Sequence, residues 1–430
     1  MKKMNMKKNL LFLILAIAAS LPIMISSNPL RADDTPNDAS APAPGSLPLN
    51  DNTAPPFKGV YQWGQSGCKN GLYDAYGPWL NRTVIWGEDF MPIETWSHLE
   101  GESWQMGTWD PWLKKQVGRR FILSLPMLVG SWDGKGPKQG PGAGVPVSLE
   151  EGAKGTYNVY FQHLSESLVK HGMGDTLIRV GWEFNGGWYI WHANTVAKAE
   201  AFAGYFKQIV TTMRAVPGAE KLKFIWNPAM EPYWAYPPEK AWPGDDVVDY
   251  IGLDVYDQCW AKDTYPIPEG ATDDEALARR KRTWDNITNN EKSYGLPFWV
   301  KFAAAHGNKP LVIPEWGVCN RKDKDGNHGG GDNAFFIEQM YNFIYNPVNN
   351  VYFECYFDVT AGDGDHRLIP GVNKKDPANP LETKFPKAAA KYKELFTLPP
   401  GKQAPVAPVV DAAAPAATVP TTTEAAPAGK

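Results

Sequence analysis

The sequence LIRVGWEFNGGWYIW, residues 177–191, carries the pattern that decides the fold. Apart from Arg179, its first six residues are apolar or glycine, which is typical of a strand buried in a parallel sheet. Glu183 follows at the point where this strand ends, and glycines and aromatic residues come next. The segment PLVIPEWGV, residues 310–318, has the same arrangement around Glu315. Both segments predict a strand that ends in a carboxylate.

Short β-branched or aromatic runs alternate with helical stretches along the chain, which indicates repeated strand–helix units. Two of the helical stretches, residues 156–171 and 196–216, have apolar residues at steps of three and four. Eight candidate strands predict a closed α/β barrel of the (β/α)8 TIM type, with a doubly wound open sheet as the alternative. No G-x-G-x-x-G follows the first strand, which argues against that alternative. The predicted strands are residues 59–62, 83–86, 121–125, 177–182, 222–226, 248–253, 310–314 and 351–357.

The two ends of the chain differ in composition from its middle. Residues 1–32 contain four lysines, a ten-residue apolar run and a zone of small residues, and this pattern is typical of an export signal. The apolar run is about half the length that spans a bilayer, so a permanent anchor is the weaker interpretation. Residues 33–56 are predicted to be a Pro/Ala-rich linker, and residues 399–430 a disordered tail rich in Pro, Ala and Thr. Residues 57–398 remain as one catalytic domain, and we expect a secreted or periplasmic protein.

The composition of the chain restricts the kinds of molecule that it is expected to bind. Residues 1–32 hold five basic and no acidic residues, so their removal takes the formal net charge from −4 to about −9. A mildly acidic chain without a basic stripe is not expected to bind nucleic acid. Aromatic residues make up 13% of the chain, and flat rings stack on the apolar faces of sugars. The four cysteines predict at most a local disulfide.

The two strand-end glutamates suggest the chemistry of glycoside hydrolysis. Parallel barrel strands end at one common face, so Glu183 and Glu315 are expected to meet there. Glycosidic cleavage needs one carboxylic acid to protonate the leaving oxygen and one carboxylate to attack the anomeric carbon. We expect Glu183 to be the acid, desolvated among Trp182, Phe184 and Trp188, and Glu315 to be an ionised nucleophile. Either glutamate alone could equally be an ion-pair residue at a strand end.

Three motifs resemble glycoside hydrolase family 26, a family of retaining barrels. Residues 179–191 look like its acid/base segment, residues 312–317 look like its nucleophile segment, and residues 242–256 resemble its sixth-strand signature. The resemblance covers most of residues 57–395. It implies an endo-acting O-glycosyl hydrolase with a double-displacement mechanism, most commonly a β-1,4-mannanase, that needs no cofactor or metal.

The same resemblance implies individual roles. Glu183 matches the proton donor and Glu315 the nucleophile. Trp188 and Trp191 match sugar-contacting residues, and Tyr256 matches a hydrogen-bond partner of the nucleophile. The remaining candidates for substrate contact are Trp182, Asn185, Asp254 and Trp316.

Two positions depart from the family pattern. Mannanases of the family usually have His directly before the acid/base Glu, and this chain has Trp182. In the eighth strand, where a Trp platform is expected, Tyr356 or Phe357 is a possible replacement. The first departure leaves mixed-linkage glucan, xylan or the cell's own exopolysaccharide open as alternative substrates. A non-catalytic carbohydrate-binding protein on a barrel scaffold is the alternative from another class. The expected partner in each case is a polysaccharide, and we expect a monomer.

Overall fold

The computed structural model of the protein describes residues 55–371 and 382–397, apart from residues 63, 117, 132–133, 231–233, 322 and 325. The described residues belong to one compact unit. The predicted signal, nearly all of the predicted linker and the predicted tail lie outside the described residues. None of the helices within the described ranges is long and apolar enough to cross a membrane.

Eight parallel strands close into a barrel in which each strand pairs with its neighbours in chain order and the last pairs with the first. This confirms the predicted (β/α)8 class. The strands are β1 Phe57–Tyr61, β2 Trp86–Phe90, β3 Arg120–Leu125, β4 Leu177–Val180, β5 Lys223–Trp226, β6 Tyr250–Tyr256, β7 Leu311–Gly317 and β8 Val351–Phe357. A separate antiparallel pair is formed by Asn320–Arg321 and Gly364–Asp365.

Helices surround the barrel and pack their apolar faces on the outside of the strands. The two predicted amphipathic helices are confirmed as α6 and α7. The α-helices are α1 Gly64–Asn70, α2 Leu72–Leu80, α3 Trp96–Leu99, α4 Ser103–Lys114, α5 Leu149–Ala153, α6 Asn158–Lys170, α7 Val196–Arg214, α8 Asp273–Thr283, α9 Leu296–Ala305, α10 Ala334–Tyr345 and α11 Pro386–Phe396. Short 3-10 helices cover Pro238–Ala241, Glu291–Ser293 and Pro347–Asn349, and a π-helix covers Trp284–Thr288.

The barrel interior is built in two layers by the two-residue period of the strands. The first layer is an apolar cluster formed by Trp86, Ile122, Leu177, Ile225, Val312, Phe353 and Cys355. The second layer is polar and lies two residues further along the chain from Trp86, Ile122, Leu177 and Ile225. Its buried side chains are Glu88, Ser124, Arg179 and Asn227. The polar layer therefore lies toward the carboxyl ends of the strands, where active sites of this fold are found.

Strand β7 brings Glu315 into this polar layer through a register shift. Gly252 of β6 pairs with Val312, but Asp254 pairs with Glu315, so β7 holds one extra residue between the two pairs. Pro314 lies in this bulge, where its missing N–H breaks no ladder hydrogen bond. The bulge places Glu315 beside Asp254.

The prediction for β2 was wrong. Residues 83–86 were expected, but the strand begins at Trp86 and runs to Phe90. Gly87, Glu88 and Asp89 have low β-propensity, so the predicted strand stopped before them. They form a strand because the Glu88 carboxylate has a buried cationic partner inside the barrel, described below. The expected local disulfide is also absent, since all four cysteines are free thiols.

Candidate active site

Arg179 of β4 is the centre of the polar layer. Its side chain is fully buried. One terminal nitrogen, Nη1, donates to Glu88 and to Ser124 at 3.0 Å each, and also to Glu315. The other, Nη2, donates to Asp254, and Nε donates to Asn227 at 3.1 Å. Five strands of the barrel therefore converge on one guanidinium group, besides β4 itself.

Three carboxylates share this single positive charge. Burial raises the pKa of Glu88 to about 8, although Arg179 opposes the shift. Burial also raises the pKa of Asp254 well above its usual range, with Arg179 again opposing. Burial disfavours the charge of Arg179 itself, but Asp254, Glu315 and Glu88 outweigh it and raise the pKa of Arg179. The single positive charge faces three carboxyl groups, and the raised pKa values of Glu88 and Asp254 favour a proton on this pair.

Glu315 is held by two donors. Its side chain is only 6% exposed. Arg179 donates to Oε1, and the phenol of Tyr256 donates to Oε2 at 2.7 Å. Burial and the neighbouring Glu315 raise the pKa of Tyr256, so this phenol keeps its proton and remains a donor. Both carboxylate oxygens are oriented by groups that complement a negative charge.

Glu183 follows β4 in a tight turn. Its backbone has φ of +52°, and its N–H donates to the carbonyl of Asn227 at 2.7 Å. Such a left-handed conformation is uncommon for a residue with a side chain and is typical of functional sites. Gly181, just before it, also has positive φ, and a Cβ there would lie 2.4 Å from the sulfur of Met127. The turn aims a partly exposed carboxylate toward the mouth of the barrel.

Trp188 completes the surroundings of Glu183. Its indole Nε1 donates to Glu183 Oε2 at 2.6 Å, while the ring is 40% exposed. Gly186 makes this arrangement possible, because a Cβ at that position would lie 2.4 Å from the Trp188 ring. The side chain of Trp188 therefore folds back over the turn and reaches the carboxylate.

A cavity of about 250 Å³ opens beside Glu183. It passes between the segments that follow β4, β5 and β6 and reaches the π-helix. Its lining combines apolar surface with a few polar groups, as in sites that bind small polar ligands. The residues that line it are Glu183, Trp188, Ala229, Met230, Asp254, Tyr256, Gln258, Cys259, Trp260, Ala261 and Ile287.

Aromatic side chains at the ends of β1, β2 and β8 lie on the Glu315 side of the barrel mouth. Tyr61 stacks on Phe357 with ring centroids 5.0 Å apart, and it meets Phe90 edge-on at 5.0 Å. Phe357 in turn meets Tyr256, the donor to Glu315, at 5.8 Å. Glu88, Glu315 and Asp89 contribute, after burial, to the raised pKa of Tyr61, which indicates that this ring is close to the charged layer.

Sequence comparison finds one family that is similar to part of this barrel. A profile described as glycosyl hydrolase family 26 matches residues 161–269. The matched segment contains Glu183, β4, β5 and β6. This part of the chain is similar to glycosyl hydrolase family 26. The match supports the assignment of the chain as an O-glycosyl hydrolase, and no curated protein sequence matches it significantly.

Solved structures share the fold of this barrel. A modular endo-β-1,4-mannanase from Cellulomonas fimi is 16% identical, with a TM-score of 0.51 over 80% of this chain and 71% of that chain. The catalytic domain of the GH26 endo-β-1,4-mannanase from Bacillus sp. JAMB-750 is 13% identical, with a TM-score of 0.50 over 82% of this chain and 86% of that chain. At such identity the likeness establishes the barrel fold.

Two of the predicted sugar contacts need correction. Trp191 is fully buried, and its Nε1 donates to the carbonyl of Trp182 at 2.8 Å. Trp316 is also fully buried, because it follows Glu315 directly and so points out of the barrel into the helical layer. There its Nε1 donates to Glu354 at 2.7 Å. Neither ring has surface with which to contact a substrate.

The predicted contact residues Asn185, Asp254 and Trp182 differ from one another in their hydrogen bonds and exposure. Asn185 uses both ends of its amide on the backbone of Ala229, at 2.8 and 2.9 Å, so it ties the turn after β4 to the turn after β5. Asp254 lines the cavity, and its Oδ1 has no hydrogen-bond partner among the described residues. Trp182 is 3% exposed and packs on Phe90, Tyr189 and Trp191.

The expected surroundings of Glu183 also differ from the structure. Phe184 lies in the core against Phe202 and Trp226 rather than around the carboxylate. Of the three predicted neighbours, Trp188 is the one that donates a hydrogen bond to Glu183 at 2.6 Å. Glu183 is consequently more exposed than Glu315, whereas the opposite was expected. In β8, Tyr356 is buried outside the barrel, and Phe357 is the partly exposed ring.

Glu88 and Tyr61 are site residues that the sequence analysis missed. Arg179 lies in the middle of the predicted strand 177–182, and a buried guanidinium requires acidic partners. That requirement was the available signal for Glu88. Tyr61 had no comparable signal, because its approach to Phe357 depends on the closure of β1 against β8.

Proposed function

We propose that this protein is a glycoside hydrolase of family 26 that cleaves a β-linked polysaccharide internally and with retention, with Glu183 as proton donor and Glu315 as nucleophile. The observation that carries the proposal is the unequal setting of the two carboxylates. Glu315 is buried and bonded by Arg179 and Tyr256, whereas Glu183 is partly exposed at the edge of a cavity and bonded by Trp188. A nucleophile needs a fixed, charged carboxylate, and an acid/base must reach both leaving group and water.

In the first step, a carboxylate oxygen of Glu315 forms a bond to the anomeric carbon while the bond from that carbon to the glycosidic oxygen breaks. Glu183 transfers its proton to the departing oxygen, so the leaving chain ends in a hydroxyl group. In the second step, Glu183 takes a proton from water as the water attacks the anomeric carbon and releases Glu315. Both enzyme groups return to their starting protonation states.

Arg179 and Tyr256 support these steps without entering them. They hold the Glu315 carboxylate in one orientation before the substrate arrives, which lowers the cost of reaching the reactive geometry. The surplus carboxylates Glu88 and Asp254 offset part of the Arg179 charge, so the guanidinium does not quench the nucleophilicity of Glu315.

We propose β-1,4-mannan as the substrate. The similar barrels from Cellulomonas fimi and Bacillus sp. JAMB-750 are described as endo-β-1,4-mannanases, which supports this choice. Trp182 argues for testing others, because its buried ring occupies the position before Glu183 where mannanases of the family usually have His. Mixed-linkage glucan, xylan and a bacterial exopolysaccharide are therefore included in the test below. We also propose that residues 1–32 direct export, which suits a polymeric substrate outside the cell.

The test is product release from galactomannan, glucomannan, mixed-linkage glucan, xylan and a bacterial exopolysaccharide. Wild type is compared with Glu183→Ala, Glu315→Ala and the control Glu166→Ala, which lies on the exposed side of α6. We expect one class of polysaccharide to be cleaved, the first two variants to lose activity by more than about a thousandfold, and the control to match wild type.

Azide distinguishes the roles of the two glutamates. With an activated aryl glycoside, azide can replace a missing nucleophile in Glu315→Ala and gives a product of inverted configuration. In Glu183→Ala it can instead attack the glycosyl-enzyme and gives a product of retained configuration. The reversed pattern would contradict the assignment. Unchanged activity in both alanine variants would favour a different site, and binding without cleavage would favour the carbohydrate-binding alternative.

A further inference from the structure

Trp260 is a large aromatic side chain that the proposed mechanism does not use. It lies four residues after the end of β6 and is 51% exposed. It also lines the cavity that begins at Glu183. An exposed indole inside a concave site presents a flat apolar face, the surface on which a sugar ring stacks.

The Trp260 ring is supported by the segment around the short strand Asn320–Arg321. His328 stacks on it with ring centroids 5.5 Å apart and an interplanar angle of 21°. The guanidinium of Arg321 lies 5.5 Å from the ring centroid and is itself fixed by Asp363 at 2.9 Å. The backbone of Cys259 donates to the carbonyl of His328 at 2.9 Å. A ring held in this way loses little conformational entropy when a ligand stacks on it.

The lining of the cavity indicates which part of the substrate it holds. Glu183 lines the cavity, whereas Glu315 does not. In the proposed mechanism the acid gives its proton to the leaving oxygen, and the nucleophile binds the anomeric carbon on the other side of the broken bond. A cavity that opens beside the acid is therefore on the side of the leaving group.

We propose that Trp260 is a specificity-determining residue that binds a pyranose unit of the leaving-group part of the polysaccharide. The cavity is suited to such a unit, because Met230 and Ile287 offer apolar surface while Gln258 and Asp254 offer polar atoms. This inference rests on the proposed function, since it takes Glu183 as the acid.

The test compares two substrates that differ on the leaving-group side. One is the polysaccharide that wild type cleaves, and the other is an oligosaccharide of the same sugar with an activated nitrophenol leaving group, which places no sugar beside Glu183. The variants are Trp260→Ala and Trp260→Phe. Trp104→Ala is the matched control, because that tryptophan is 45% exposed on α4 and does not line this cavity.

We expect Trp260→Ala to lower kcat/KM about tenfold more on the polysaccharide than on the aryl oligosaccharide. Trp260→Phe keeps a ring and should recover most of the difference, and Trp104→Ala should match wild type on both substrates. With added oligosaccharide acceptor, Trp260→Ala should also form a smaller share of transglycosylation product, because acceptors enter from the leaving-group side.

Equal losses on the two substrates, or an unchanged rate on the polysaccharide, would overturn the role of Trp260. Failure of the proposed function would give a different result. Glu183→Ala would then cleave the polysaccharide at the wild-type rate, independently of any substitution of Trp260. Because half of the ring is exposed, Trp260→Ala should keep the wild-type melting temperature. If Trp260→Ala melts at a lower temperature, Trp260→Phe replaces it in the comparison of the two substrates. The yield of transglycosylation product is then measured in wild type at increasing acceptor concentration. A wild type that forms no such product at any acceptor concentration would count against the proposal.

Discussion

Tyr256 donates its phenolic hydrogen to Oε2 of Glu315 across 2.7 Å, while Arg179 occupies the other oxygen of the same carboxylate. The two donors come from β6, which pairs with the strand of Glu315, and from β4, which does not. They define one orientation of Glu315 in the absence of substrate. This relationship makes Tyr256 a positioning residue whose contribution can be measured apart from the fold.

Tyr256→Phe removes the donor but keeps the ring. We expect kcat to fall about a hundredfold with little change in KM, as for loss of one preorganised donor to a reacting group. Steady-state kinetics on the cleaved polysaccharide measures both parameters. Tyr160→Phe, which stacks on Trp96 in the outer helical layer, is the control and should match wild type. A kcat within twofold of wild type in Tyr256→Phe would refute the positioning role.

Gly186→Ala tests the contact between Trp188 and Glu183. A Cβ at residue 186 would lie 2.4 Å from the indole, so the ring must move away from the carboxylate. We expect kcat/KM to fall about tenfold, because the acid loses a donor that orients it. Gly187→Ala is a close control, since a Cβ there meets nothing within 4 Å. Equal activities of the two variants would show that the indole contact is dispensable.

Arg179→Met removes the cation that pairs with three buried carboxylates, Glu88, Asp254 and Glu315. We expect the free energy of unfolding to fall by about 3–5 kcal/mol, because uncompensated buried charge remains. Urea denaturation at pH 7 measures it. Arg120→Met, at a side chain that is 46% exposed and lies 3.5 Å from Asp175, should change the value by less than about 1 kcal/mol. A comparable effect of the two substitutions would contradict the central role of Arg179.

Glu88 gives a prediction for the pH dependence of stability. Burial raises its pKa to about 8 in the folded state, whereas an unfolded chain has a value of about 4.3. The folded state therefore binds the proton more tightly, and the stabilisation is complete below pH 4 and is lost as the pH rises toward 8. Glu88→Gln removes this titration.

Between pH 5 and pH 8, the free energy of unfolding of wild type should fall relative to that of Glu88→Gln by roughly 2–4 kcal/mol. Denaturation curves at both pH values measure this difference. Glu166→Gln, on the exposed side of α6, should keep the wild-type pH dependence. Parallel pH profiles for wild type and Glu88→Gln would show that the buried carboxyl does not hold the proton.

The barrel and the position of its two glutamates could be predicted from the sequence, because they depend on local sequence patterns. Apolar runs that end in Glu183 and Glu315 place carboxylates at strand ends, and the topology of parallel units then brings those ends to one face. The register of β7 against β6 could not be predicted. The bulge at Pro314 adds one residue between paired positions, and nothing in the run of residues 310–314 specifies it.

Errors in the predicted site have a common physical origin. Trp316 was included because it adjoins Glu315, yet neighbouring residues of a strand point to opposite faces. Glu88 was missed because Gly87, Glu88 and Asp89 have the composition of a turn. Their strand conformation depends on Arg179, which is 91 residues away in the chain. Long-range charge pairing of this kind leaves no local pattern.

The most direct test of the central claim is to trap the intermediate. Wild type is incubated with a 2-deoxy-2-fluoro glycosyl fluoride of the sugar that it cleaves, digested, and analysed by peptide mass spectrometry. We predict one added glycosyl group, carried by Glu315, in wild type and none in Glu315→Ala. A glycosyl group on any other residue, or full turnover of the reagent without labelling in an enzyme that inverts configuration, would contradict the account.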